Sequence, residues 1–182
     1  MEQQIAMDEL KYPIGKFKRP ESFRAEDLKN AITTIREFPA VLSKEVGFLD
    51  DVNLKYLHRP GGWTIRQLVH HCADSHMNAF IRTKLMLTEN NPTIKPYLEA
   101  EWAQLSDSTE TPVDLSLKIL DGLHSRWTTL LTHVKDVDLD RTLIHPEYNR
   151  QMKLVDVVFL YAWHCNHHVG HIRNARKFKN QF

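Results

Sequence analysis

Cysteine is almost missing from this 182-residue sequence, with Cys72 and Cys165 the only two. Two thiols make no disulfide framework, and a chain of this length can bury a full core without one. Glycine and proline are scarce as well, at 6 and 8 residues, which leaves few breakers and favours long helices. The longest wholly apolar run is Val157–Trp163, far short of the roughly 20 residues that cross a bilayer. No membrane-spanning helix is expected. Charge of one sign is also lacking: 24 Lys+Arg oppose 23 Asp+Glu for a net charge of +1. Such a surface has no field with which to hold a nucleic-acid backbone or an anionic membrane. Met1-Glu2-Gln3-Gln4-Ile5 carries neither a basic nor an apolar leader region, so the expectation is a cytoplasmic protein without a secretory signal. No Gly-rich phosphate loop, Cys-x-x-Cys or Gly-x-Ser-x-Gly occurs, which leaves nucleotide binding and serine hydrolysis without local support.

What the sequence does have is apolar residues at three-to-four spacing along most of its length. Four long helices follow from that pattern, packed as one all-α bundle in a single domain over 1–182. The first spans about Ala25 to Val46, turns Leu28, Ile32, Ile35, Leu42 and Val46 inward, and is interrupted by Pro39, which removes one backbone donor and is expected to kink it. The second opens at Thr64, where Thr64 and Gln67 form a capping-box pair, with Trp63 placed to staple onto Leu68, and runs to about Leu87. The third is expected to begin with Thr111 as N-cap and Pro112 as first helical residue, and to run to about Val134 over a stripe of Leu117, Ile119, Leu120, Leu123, Trp127, Leu130 and Leu131. The fourth spans about Leu154 to Phe178 and ends among Arg173, Arg176, Lys177 and Lys179, where the helix dipole favours positive charge. A long crossing, Asn90–Glu110, with a short helix around Leu98–Leu105, separates the second helix from the third and lets the two run parallel. Arg141–Lys153 reads as a small hairpin, and residues 1–11 as a loose arm.

Histidine is over-represented. Of 11 His, seven fall in two short stretches, His70–His76 and His164–His171. His164 and His168 are four apart, one above the other on one helical face, so two imidazoles can converge on one metal ion; His167 and His171 form a second pair at the same spacing. Helical phase at roughly 100° per residue puts His164, His168 and His171 on one flank of the stripe Val158, Ala162, Cys165, Val169, Ile172 and Arg176, and sends His167 toward solvent. A third ligand must come from another element. On the second helix the stripe Ile65, Leu68, Val69, Cys72 and Ala79 puts His76 near its centre, His71 on a flank and His70 away from the core, so periodicity favours His76 as the buried one and does not select His71.

The runs Tyr12-Pro13-Ile14-Gly15, Gly61 through His71, Ala73-Asp74-Ser75-His76-Met77-Asn78 and Trp163 through His168 resemble the YfiT-like family of metal-dependent hydrolases. That family belongs to the DinB-like superfamily of four-helix bundles, which also includes bacillithiol transferases. The resemblance covers about Tyr12 to Arg176 and implies a DinB-like four-helix bundle, a homodimer, and a metal held by His71, His164 and His168. One divalent ion per subunit, zinc with nickel as the alternative, and a small-molecule substrate are expected. Three neutral imidazoles suit such ions and leave positions open for water or substrate. The chemistry expected is hydrolysis by an activated water. Transfer of a low-molecular-weight thiol to a small electrophile is the alternative, and a non-enzymatic metal- or ligand-binding bundle a third reading.

The other candidates are weighed against plainer roles. His58, His124, His133 and His145 read as surface or loop residues, with a place at the pocket rim as the alternative for His145. His70 and His167 read as solvated, and His76 and His171 as pocket or supporting residues. Cys72 and Cys165 lie on apolar stripes and read as core, as do Trp63, Trp102, Trp127 and Trp163. Arg66, Gln67, Asp74 and Arg82 are candidates for substrate or supporting contacts, against the commoner role of a solvated helix face.

Overall fold

The computed structural model describes residues 7–148 and 150–182. Helix α1 (Met7–Lys11) leads to α2 (Ala25–Val46), α3 (Ile65–Thr88), two single-turn helices α4 (Glu99–Trp102) and α5 (Ser106–Thr109), α6 (Val113–Thr132), the strands β1 (Thr142–His145) and β2 (Arg150–Lys153), and α7 (Leu154–Phe178). The long helices form the expected four-helix bundle, in which α2 and α3 each pack on both α6 and α7. Its core is built from Ile35, Phe38, Leu42, Ile65, Leu68, Cys72, Met86, Leu120, Trp127, Leu154, Cys165 and Ile172, among others.

Contacts along the helices give their directions. His70 meets Ser116, His76 meets His124 and Thr83 meets Trp127, so the contacts advance together and α3 and α6 are parallel. Ser75 meets Tyr161 while His71 meets His168, so α3 and α7 are antiparallel. The parallel pair needs the long crossing, which carries α4 and α5 where one short helix is expected. Part of that crossing is clasped by the hairpin: Ile94 N–H donates to Ile144 O, and Ile144 N–H to Pro92 O. The hairpin is antiparallel, with Thr142 opposite Lys153 and His145 opposite Arg150.

Thr64 caps α3 as expected, its Oγ1 accepting from Gln67 N–H. At α6 the start shifts by one residue: Pro112 is the N-cap with ψ of 135°, and the first helical residue is Val113. Ile119, expected in the stripe, is exposed. Helix α2 continues unbroken through Pro39. The expected loose arm is ordered over Met7–Lys11, where Leu10 is buried; residues 1–6 of that arm lie outside the described residues.

Candidate metal centre

Helix α3 contributes His71, and α7 contributes His164 and His168. The structure brings the three together, with one ring nitrogen from each lying within 4.8 Å of the other two. His164 Nε2 and His168 Nε2 are 3.1 Å apart, a separation open to two nitrogens bonded at about 2.0–2.1 Å to a common ion. The His71 ring lies 4.9 Å from that of His168 and 5.6 Å from that of His164, centroid to centroid, and Trp63 packs against it at 4.7 Å. Trp63 thus bears on His71 rather than acting only as a staple at the helix start.

Burial sets the charge state of these rings. It pushes His71 down to about 4, with His167 adding to the shift, and it holds His164 and His168 well below the ordinary 6.5, with neighbouring histidines adding to it. Neutral imidazoles offer nitrogen lone pairs, as cation binding requires. The three rings line a cavity of about 640 Å³. Its wall also includes apolar Leu68, Leu143, Val157 and Leu160, the charged Lys11, Arg59, Arg82 and Glu99, and the polar rings of Tyr12, Tyr161, His58, His145, His167 and His171.

Of the remaining histidines, His167, His70, His58 and His124 depart from their sequence reading, while His133, His76 and His171 follow it. His167 is buried, stacked on Trp163 at 4.3 Å and facing Tyr12. The solvent side of α7 at this level is covered by the chain after α1: a Cβ on Gly170 would come within 2.9 Å of Pro13 Cγ. His70 is buried as well, bonded to Ser116 Oγ at 2.8 Å and to the Thr111 carbonyl at 3.0 Å, because the crossing and α6 close over it. His58 and His124, expected as surface or loop residues, are buried, His58 in the loop before α3 and His124 within α6. His58 donates from Nδ1 to the Trp63 carbonyl at 2.8 Å and packs on the His171 ring at 4.4 Å. His145 is buried in the cavity wall, and His133 is exposed as expected. His76, fully buried, bonds to His164, and His171 bonds to the Lys11 carbonyl at 3.1 Å.

Cys72 and Cys165 are free, buried thiols in the core, and burial raises both. Of the four polar candidates on α3, only Arg82 lines the cavity. Arg66 is buried and bonds to Asp51 at 2.5 Å and the Thr111 carbonyl at 2.6 Å, while Gln67 bonds to the Ala103 carbonyl at 2.7 Å. Both tie α3 to neighbouring segments. Asp74 is half-buried and lies outside the cavity wall; burial, then Asp107, raises its carboxyl to about 6.

With this geometry in view, comparison with known proteins decides the family. The model of the DinB superfamily matches residues 26–172. The chain belongs to the DinB superfamily. Its relatives include a protein of Geobacillus thermodenitrificans, 48% identical over 174 residues that cover 95% of this chain and 97% of the relative. A protein of Bacillus cereus strain B4264 is also 48% identical, over 96% and 99% of the two chains. Both are named "Putative metal-dependent hydrolase". Among solved structures, YfiT from Bacillus subtilis superposes with a TM-score of 0.91 at 42% identity, covering 94% of this chain and 98% of that one. It is described as a probable metal-dependent hydrolase with an unusual four-helix bundle topology. In this DinB-superfamily chain, the antiparallel packing of α3 on α7 brings His71 onto the His164–His168 face of α7.

Proposed function

We propose that this chain is a metal-dependent hydrolase that holds one divalent ion, zinc with nickel as the alternative, on His71, His164 and His168, and acts on a small molecule in the adjoining cavity. The observation that carries this reading is the convergence of three neutral imidazoles on the wall of a cavity of about 640 Å³. The relatives' names support the same reaction class. Three protein ligands, unlike four, leave room for a substrate to reach the ion.

When bound, a divalent ion supplies Lewis acidity, polarising a substrate oxygen and making a water acidic enough to lose its proton near neutral pH. The chain's own residues do the rest. Trp63 holds the plane of His71, and the helical spacing of His164 and His168 holds theirs. Leu68, Leu143, Val157 and Leu160 exclude bulk water from the inner wall, which strengthens polar contacts made there. Lys11, Arg59 and Arg82 offer positive charge to an acidic or carbonyl-bearing substrate, and Glu99 offers an acceptor.

The test is to strip the full chain with EDTA, reload it with Zn²⁺ or Ni²⁺, and follow a panel of small esters and amides in ¹⁸O-labelled water. The reading expects turnover to vanish on chelation with helical circular dichroism retained, to return on reloading, and to place solvent oxygen in the product. Unfolding on chelation would make the ion structural. Product formed only when a low-molecular-weight thiol is added, and carrying that thiol, would replace hydrolysis by thiol transfer.

A further inference from the structure

A buried file of histidines runs from α2 to the candidate metal centre. His124 Nδ1 lies 2.5 Å from the Ile35 carbonyl oxygen, His124 Nε2 lies 2.7 Å from His76 Nδ1, and His76 Nε2 lies 2.9 Å from His164 Nδ1. His76 and His124 are packed with Phe38 and Trp127, surroundings that favour neutral rings. A neutral imidazole has one N–H and one bare nitrogen, so the first bond decides all the others. A carbonyl oxygen only accepts, so His124 Nδ1 carries the proton and His124 Nε2 is bare. His76 Nδ1 must then donate, His76 Nε2 must accept, and His164 Nδ1 must donate. His164 Nε2 is left bare, facing His168.

The file begins at Ile35 because of Pro39. In an uninterrupted helix the carbonyl of Ile35 would accept the N–H of residue 39, but proline has none, and its ring crowds the carbonyl four residues back. The mid-helix proline leaves one carbonyl of α2 without its helical donor, and His124 supplies the bond. The α2 end of the file is a backbone oxygen, which cannot take up a transferred proton, so the file holds a proton pattern and does not conduct protons away.

We infer that Pro39, Ile35, His124 and His76 form a tautomer lock that keeps the proton of His164 on Nδ1 and its Nε2 bare. His76 and His124 are positioning residues in this scheme. What the bare nitrogen is for rests on the metal reading above; the lock itself does not. A shorter file repeats the pattern at the second α7 ring. His171 Nε2 donates to the Lys11 carbonyl at 3.1 Å, and His171 Nδ1 faces His168 Nδ1 at a longer 3.5 Å.

The experiment is two-bond ¹H–¹⁵N correlation of the histidine rings in the full-length, metal-free protein, followed by titration with Zn²⁺ against a chromophoric chelator. The lock expects His124, His76 and His164 all protonated on Nδ1. In His124→Leu it expects His76 and His164 to become tautomer mixtures and Zn²⁺ affinity to fall about 10- to 100-fold, the usual effect of losing a partner that orients a ligand. His124→Gln, whose amide can donate to Ile35 and accept from His76, should recover most of that loss. Pro39→Ala, which returns a competing N–H to Ile35, should weaken Zn²⁺ binding several-fold while keeping or raising the thermal midpoint. A wild-type His164 protonated on Nε2 overturns the lock, and this measurement stands even if His124→Leu does not fold. A folded His124→Leu with wild-type tautomers and Zn²⁺ affinity overturns it too. If wild-type rings show the expected tautomers and bind no Zn²⁺, the metal reading fails and the lock remains.

Discussion

His167 stacks on Trp163, with ring centroids 4.3 Å apart and planes within 20° of parallel, while the neighbouring His168 points its Nε2 at His164. Adjacent residues on a helix diverge by roughly 100°, so two consecutive histidines serve different surroundings. His168→Ala is therefore expected to reduce bound Zn²⁺ far below one ion per chain. His167→Ala should retain the stoichiometry of the parent. Metal analysis after gel filtration distinguishes them, and equal loss in both would place the ligands on the wrong face.

Gly170 lets the segment after α1 lie against α7. A β-branched side chain there meets Pro13 Cγ at 2.9 Å and Pro13 Cβ at 3.1 Å from its first carbon. Gly170→Val is expected to lift Tyr12–Gly15 from the helix, at a cost of about 1–3 kcal/mol, as for other overpacked sites. Trp163, whose Nε1–H donates to the Gly15 carbonyl at 3.2 Å, should report the displacement as a red-shifted fluorescence maximum. Urea denaturation measures the cost.

Buried histidines make the metal-free protein acid-sensitive. Burial lowers His58 and His124 to about 4, and His171 to about 3 with His58 adding to it. Each folded value lies below the ordinary 6.5, so the unfolded chain binds more protons between the two. Stability is then fully present above about pH 6.5 and is lost as pH falls through the window toward about 4, and for His171 toward about 3. Urea midpoints of the metal-free protein should decline steadily from about pH 7 to about pH 4.5. A midpoint independent of pH over that range would mean these rings are exposed.

Arg66 separates stability from metal binding. Its guanidinium is buried and bonds to the Thr111 carbonyl, whereas its partner Asp51 is largely exposed, so the ion pair itself is screened and contributes little. Arg66→Met should cost about 1–3 kcal/mol, chiefly from the charge-assisted bond lost to the Thr111 carbonyl, which keeps its bond from His70, and leave Zn²⁺ affinity unchanged. Denaturation and chelator competition on the same preparation check both halves.

How far the site could be read in advance differs from residue to residue. The spacing of His164 and His168 is local, and so was their common face. The boundaries of α2 and α7, Ala25–Val46 and Leu154–Phe178, were likewise written in local periodicity. His71 was another matter: periodicity favoured His76, and only family resemblance selected His71. Both are buried, and they differ in partner, since His76 reaches His164 Nδ1 through its Nε2 while His71 faces the pair from the cavity. His70 and His167 went astray for a different reason. A helical period shows which face meets the main core, but the opposite face of α3 is covered by Thr111 and Ser116, and that of α7 by Tyr12 and Pro13.

By itself, the sequence determined the four long helices, the cap at Thr64 and the paired rings on α7, because each depends on residues within a few turns of one another. Only the tertiary structure decided which imidazole of α3 meets that pair, which face of each helix is covered twice, and that the carbonyl Pro39 leaves without a helical donor is taken up by His124. Those outcomes depend on groups brought together from distant parts of the chain, and hydrophobic periodicity carries no record of which distant group arrives.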